Sequence, residues 1–176
     1  MFAVREQRTN PLSLYSIKIR NMRPLDIVVL MKLTALDGKP WQYRDLSSTL
    51  FISISEISAS LKRSAIAGLV DKEQKNLRRN ALMEFVQFGL HYVFPQIPGI
   101  IAAGLATAHS HPFYQQYFSS DFPYVWPAID GNIRGQIIEP LHKEVVNASL
   151  HDDVLYKLLA SIDILRVGKV REKNSH

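Results

Sequence analysis

Apolar positions in the first half of the chain recur at spacings that predict helices. The first strong element is RPLDIVVLMKLTAL, in which residues 27–33 are apolar nearly all round, apart from Lys32. Pro24 suits the first turn of a helix, and Asp37–Gly38 provides an end. A helix that is apolar on most sides is buried on most sides, so we expect this helix at the centre of a core.

Four further elements follow in this half. Trp41 and Tyr43 alternate around a polar residue, which predicts a brief strand. The segment YRDLSSTLF predicts a short helix that buries two leucines. A second helix begins after Ser53, because Ser53 and Glu56 have the spacing of a capping box. The segment ALMEFVQFGLHYVF predicts another helix, which ends before Pro95.

Beyond Pro95 the pattern changes. The run Ile97–Ala108 predicts a buried connection, and YVWP and IRGQII predict two short strands joined by an Asp130–Gly131 turn, as in a hairpin. A long helix is expected from Ser149, with Asp152 completing a capping box, to its end at Gly168; VREKNSH is a tail. The predicted fold is mainly α with small β elements. We expect an N-terminal segment (1–22), a helical domain (23–94) and a C-terminal extension (95–176).

The helix after Ser53 carries an unusual number of serines, and a helical wheel separates them onto two faces. One face contains Ile54, Ile57, Leu61, Ser64, Ala65 and Gly68, and we expect it to face the core. The other contains Ser55, Ser58, Ala59, Lys62 and Ile66, with Glu56 and Arg63 at its sides. Its N-terminal part is slim and rich in hydroxyl groups, which suits entry into the major groove of DNA.

Charge is distributed unevenly along the chain. The net charge is +5, yet residues 16–79 hold twelve Lys/Arg and six Asp/Glu, whereas residues 80–176 hold seven and nine. A balance of +6 against −2 favours a polyanionic partner for the first half, although a solvated surface also explains it. The chain has no cysteine, which excludes disulfides, thiol catalysis and cysteine-ligated metals.

The segment DLSSTLFISISEISASLKRSAIAGLV resembles the helix-turn-helix of winged-helix transcription regulators of the MarR-like kind. Leu46, Leu50 and Ile52 match the core positions of the first helix and turn, and AGLV matches the exit into a wing, DKEQKNLRRN. The resemblance covers about residues 23–94 and implies sequence-specific binding of double-stranded DNA, as a repressor that regulates its own operon. The residues expected at DNA are Arg44, Ser53, Ser55, Ser58, Ala59, Lys62, Arg63, Lys72, Lys75, Arg78 and Arg79.

Three positions depart from that pattern. Phe51 occupies the turn position where glycine is common, Ala59 stands where many such helices carry arginine, and the wing has neither glycine nor proline at its tip. A winged-helix component that binds a protein through its C-terminal half, such as an antitoxin, is therefore the rival hypothesis. Because one unit makes few base contacts, we expect a homodimer on a palindrome, with residues 150–167 at or near its interface.

Other candidate chemistry is weaker. His109 and His111 would share a face on a strand and could share a metal, but no acidic third ligand is near in sequence. Asp152 and Asp153 suit the first turn of a helix without any catalytic role, and neither a P-loop nor a dinucleotide fingerprint occurs. We therefore expect no enzyme activity, no cofactor and no metal. We also expect a cytoplasmic protein without membrane segments, whose translation starts at Met1 or at Met22.

Overall fold

The computed structural model describes residues 21–118 and 122–168. About half of this part is helical, and a small three-stranded sheet is inserted, which confirms the mainly α class. The helices are α1 (Pro24–Leu36), α2 (Tyr43–Leu50), α3 (Ile54–Ile66), α4 (Arg79–Phe88), α5 (Leu90–Val93), α6 (Val145–Leu150) and α7 (Asp153–Val167), and the strands are β1 (Ile101–Ala106), β2 (Tyr124–Pro127) and β3 (Ile133–Ile137). The predictions for residues 1–20 and for the tail VREKNSH lie outside the described residues.

Helix α1 is the centre of the core, as its sequence predicts. Ile27, Val29 and Leu30 are completely buried, and α1 packs against α3 and α7. The core is one continuous cluster to which both halves of the chain contribute, since Leu46 and Ile57 belong to it together with residues of the sheet and of α7. The apolar face of α1 therefore joins the N-terminal helices to the C-terminal extension.

The turn between α2 and α3 contains a left-handed residue at Phe51, the position where glycine is common in helix-turn-helix motifs. Phe51 adopts the left-handed region with φ 59°, where a non-glycine residue is strained. The backbone amide of Phe51 still donates to the carbonyl of Ser47, and the Ser47 hydroxyl donates to the carbonyl of Ile52 at 2.6 Å. These bonds hold a tight turn without glycine.

Two local predictions in the N-terminal half are wrong. Trp41 lies outside any strand, and Tyr43 is the first residue of α2, because the carboxylate of Asp45 accepts a hydrogen bond from the amide of Gln42 and starts a helix there. The helix predicted from Ala81 to Phe94 is divided into α4 and α5 at Gly89, where a Cβ atom would lie 2.9 Å from the Phe85 ring.

The two strands predicted around Asp130–Gly131 exist, but they do not form a hairpin. β2 and β3 are parallel to each other, and each is antiparallel to β1, so the three strands close into a small barrel. Gly104 belongs to both antiparallel pairs, opposite Pro127 and Ile133. A Cβ atom there would lie 2.1 Å from the carbonyl oxygen of Trp126, so the close approach of β1 and β2 needs a glycine.

The C-terminal helix begins later than predicted. Ser149 lies inside α6 with a buried hydroxyl, and Asp152 is itself the N-cap of α7, accepting from the amide of Leu155 at 3.0 Å. The Lys32 ammonium donates to Asp152 at 2.7 Å and so joins α1 to this cap. Burial alone would raise the pKa of Asp152, but the bonds from Leu155 and Lys32 hold that pKa below its usual value.

A buried polar network fixes α7 against the sheet. The Asp163 carboxylate accepts from the Thr107 hydroxyl at 2.8 Å and from the Trp126 indole at 2.6 Å. Arg166 donates to the same carboxylate at 2.7 Å and also to the carbonyls of Phe94 and Glu139. Both buried charges, Asp163 and Arg166, therefore have hydrogen-bond partners, and these bonds hold α7 in a fixed orientation against the sheet.

Among the described residues, no helix combines the length and the hydropathy that crossing a membrane requires. The apolar stripe predicted on the last helix is used within the molecule, since Leu155, Leu159 and Ile162 belong to the core. Leu158 packs against that core as well, whereas Leu165 is exposed. Val154 of the same stripe is 56% exposed, so part of the stripe stays at the surface, and the interface expected at residues 150–167 stays a prediction.

Candidate nucleic-acid interface

Helix α3 begins with the cap that the sequence predicts. The Ser53 hydroxyl accepts from the amide of Glu56 at 3.3 Å and donates to its carboxylate at 2.7 Å. The bond from Ser53 is the main reason why the pKa of Glu56 is lowered, and the nearby charges of His142 and Lys143 add to it. Ser53 is thus engaged in capping, and Glu56 is an exposed negative charge beside the candidate DNA-facing surface.

The outer face of α3 is the one predicted, with two corrections to the wheel. Ser55 and Lys62 are exposed, and Ser58 and Ala59 are half-buried. Ile54, which the helical wheel places on the core face, is exposed. Ser60, which the wheel leaves unassigned, is buried, as is Ser64. Both inner hydroxyls are buried without hydrogen-bond partners among the described residues. The serines therefore serve two purposes: a small outer face, and small side chains where α3 packs on α1 and α2.

Arg63 is a clear correction to the predicted site. Arg63 is 4% exposed, and its guanidinium forms a two-pronged ion pair with Asp26, with Nε at 2.8 Å from Oδ2 and Nη2 at 2.6 Å from Oδ1. Asp26, which is completely buried, also accepts from the backbone amide of Arg23 at 2.8 Å. Arg63 therefore joins α3 to the first turn of α1 and does not face a phosphate.

A compact turn follows α3, at the position predicted for a wing. Val70 and Leu77 form a single antiparallel β-bridge, and the amide of Arg78 donates to the carbonyl of Leu69 at 2.9 Å. Inside the turn, Asp71 accepts from the amide of Lys75 at 2.7 Å and from the side chain of Asn76 at 2.6 Å. Gln74 has φ 60° and so supplies the left-handed residue for which the sequence has no glycine.

Hydrogen bonding at Asp71 also sets its ionisation. Desolvation tends to raise the pKa of this carboxyl, but the bonds donated by Asn76 and Lys75 outweigh it and hold the pKa below its usual value. The carboxylate is therefore ionised near neutral pH and organises the turn. It also offsets part of the positive charge of Lys72, Lys75 and Arg78.

The cations of this turn are exposed but not equally free. Lys72 and Arg78 are exposed, as is Arg44 on α2. The Lys75 ammonium lies 5.1 Å from the centre of the Trp41 ring and 5.4 Å from that of Tyr43. Arg79 forms an exposed ion pair with Asp37 at 2.6 Å, a contact of the kind that contributes little to stability in water.

Trp41 and Tyr43 are the residues here that sequence reasoning missed. Their rings meet edge to face at 5.8 Å and together support Lys75. Trp41 also lines one side of a cavity of about 460 Å³ between the end of α1 and the turn, together with Lys39, Lys75 and Arg79. The spacing of Trp41 and Tyr43 is visible in the sequence, but it predicts a strand there and gives no sign that the two rings pack beneath Lys75 of the turn.

The His109–His111 pair lies elsewhere: His109 is on a single turn of 3₁₀ helix (Ala108–Ser110), and His111 directly follows that turn, so neither is on a strand. Both rings are buried; the ring of His109 packs edge to face on Phe118 at 4.8 Å, and Nδ1 of His111 accepts from the amide of Phe113. Burial lowers the pKa of both histidines, and Lys157 adds to the effect at His111. Within the described part of the chain, no three His, Asp or Glu side chains are grouped closely enough to hold a metal ion.

Comparison with known proteins returned no family model, no curated protein and no solved structure that matches this chain.

Proposed function

We propose that this protein binds double-stranded DNA, with the outer face of α3 in the major groove and the turn at residues 71–78 against the adjacent backbone, as winged-helix regulators do. The observation that carries the proposal is the outer face of α3 itself. Ser55, Ser58, Ala59 and Lys62 form a slim surface, and the larger Arg63 is turned into the core. A helix of this shape enters a groove about 12 Å wide without steric exclusion.

Electrostatics support the same arrangement. Exposed cations lie on both sides of α3, with Arg44 on the preceding helix and Lys72, Lys75, Arg78 and Arg79 on the following turn. Phosphate contacts supply most non-specific affinity for DNA, and short hydroxyls near bases contribute direct readout. Since α3 carries no outward arginine, its base contacts are few, and specificity requires two copies on half-sites about one helical turn, ~34 Å, apart.

Transcriptional repression, including repression of the protein's own operon, is the role that follows from such binding. The rival role is that of an antitoxin-like component that holds a partner protein through its C-terminal half. One observation favours a protein partner there, namely the exposed apolar side chains of Ile97, Ile100 and Ile101. DNA binding by α3 is compatible with either role.

Fluorescence anisotropy with a labelled duplex tests the proposal, followed by selection from a random duplex library. Ser55→Glu and Ala59→Glu each place a negative charge against phosphates, so affinity should fall at least about tenfold. Asn132→Glu, which makes the same change of charge in the exposed β2–β3 turn, is the matched control and should bind like the wild type. Normal binding by both α3 variants, with unchanged circular dichroism, would show that α3 is not in the groove.

A further inference from the structure

The segment between Phe88 and Ile101 exposes an unusual amount of apolar surface. Phe88 is 72% exposed, Tyr92 83%, Ile97 86% and Ile100 78%, and Val93 and Ile101 are each about half exposed. Single apolar residues on a surface are normal, but six large ones within one short segment are not. We refer to these six side chains as the apolar segment.

The apolar segment lies in a stretch of sequence without charge. No Asp, Glu, Lys or Arg occurs between Glu84 and Asp121. Residues 88–101 contain one histidine, His91, whose Nδ1 lies 3.0 Å from the carbonyl oxygen of Arg166. Solvated surfaces are normally rich in charged residues, whereas the centres of protein interfaces are depleted of them.

The backbone of this segment is fixed at several points. The amide of Gln96 donates to the carbonyl of Arg166 at 3.1 Å, and Arg166 donates to the carbonyl of Phe94 at 3.2 Å. Further along, the amide of Gly99 donates to Ile137 at 2.8 Å, and the amide of Ile137 donates back to Ile100 at 3.0 Å. The exposed side chains are therefore presented by a rigid frame, and a surface of this kind loses little conformational entropy on binding.

We propose that the apolar segment binds the same segment of a second copy of this chain across a two-fold axis. Its six large side chains are between 48% and 86% exposed, which offers an apolar area on the scale of the ~800 Å² that each partner contributes to a standard protein interface. A stretch of chain without charged side chains can also meet its own copy without opposing like charges. The rest of the chain, with a net charge of +5, does not have this property.

This interface differs from the one expected on the last helix, where Leu155 and Leu159 belong to the core and Leu158 packs against it. The interface uses none of the α3 side chains that are proposed to face DNA, such as Ser55 and Lys62. The dimer does not depend on the proposed DNA binding. The mass of the protein in solution tests the dimer, and its affinity for DNA tests the proposed function, so either proposal can fail without the other.

Sedimentation equilibrium of the full chain at micromolar concentration tests the interface. The wild type should have the mass of a dimer. Ile97→Glu and Tyr92→Glu should raise the dissociation constant at least about tenfold, because each introduces a charge that the partner copy leaves unpaired. Both positions are highly exposed, so the monomer should keep its circular dichroism and melting temperature.

Ile129→Glu is the matched control, since Ile129 is a fully exposed isoleucine outside the apolar segment. It should remain as dimeric as the wild type. A monomeric wild-type chain would overturn the proposal and assign the surface to a different protein. Dissociation by Ile129→Glu to the same extent as by Ile97→Glu would also overturn it, because the effect would then not come from this segment.

Discussion

The two halves of this molecule use charge in opposite ways. In residues 21–87 the cations are mostly outside, on α2, α3 and the 71–78 turn, around an apolar core with one buried ion pair, Arg63–Asp26. In residues 88–168 an ion pair is also buried, between Asp163 and Arg166, but large apolar side chains such as Tyr92 and Ile97 are outside. The first surface suits a polyanion, and the second suits another protein surface.

Breaking the buried ion pair of the first half should have the largest effect. Arg63→Ala leaves the Asp26 carboxylate buried without its partner, so the free energy of unfolding should fall by about 3–5 kcal/mol. Lys62→Ala removes the neighbouring exposed cation and should change that free energy by about 0.5 kcal/mol or less. Urea denaturation followed by circular dichroism measures both.

The double variant Arg63→Met, Asp26→Leu tests whether the loss of stability comes from the unpaired Asp26 carboxylate or from the loss of the ion pair itself. Replacing a buried pair by apolar residues of similar size is often neutral, so the double variant should be more stable than Arg63→Ala. If Arg63→Ala is as stable as Lys62→Ala, the guanidinium is not buried in solution, and its assignment to the core is wrong.

The sequence predicted the helices of the first half because their apolar spacing is regular and their caps are local. Ser53 with Glu56 and the apolar run of α1 needed no information from elsewhere in the chain. Arg63 was misassigned because its partner, Asp26, is distant in sequence, and the helix wheel alone placed it beside Lys62 at the edge of the outer face. Only the packing of α3 on α1 shows which way that side chain points.

The second half was less predictable for a related reason. The closure of the three strands depends on the close approach of β1 to β2 at Gly104, and the cap of α7, Asp152, is bonded to Lys32 of α1. Neither partner is local. The stretch without charge between Glu84 and Asp121 was visible in the sequence and would have indicated the apolar segment, had charge been followed along shorter windows.

A smaller effect is expected from the buried histidine of the second half. Burial lowers the pKa of His109, so the unfolded chain binds a proton more readily than the folded one. Stability should therefore decrease as the pH falls through the unfolded value near 6.5, by at most about 1.4 kcal/mol per pH unit for one proton. His111 contributes in the same direction.

His109→Phe removes one of these two titrating groups and keeps an aromatic ring against Phe118. Between about pH 7.5 and pH 5, its free energy of unfolding should vary less with pH than that of the wild type. The comparison uses the slope with pH and not the absolute stability, so a change in packing does not affect it. An unchanged slope would mean that His109 is not held neutral by burial.

The most direct test of the central claim is the salt dependence of binding to duplex DNA. With Lys62, Lys72, Lys75, Arg78 and Arg79 at phosphates, log K should fall with log salt with a slope of about −4 to −5, since each neutralised phosphate contributes about 0.9. Lys75→Ala should flatten the slope by about one, whereas Lys157→Ala, on α7, should not change it. Affinity that does not change between about 50 and 300 mM salt would contradict the account.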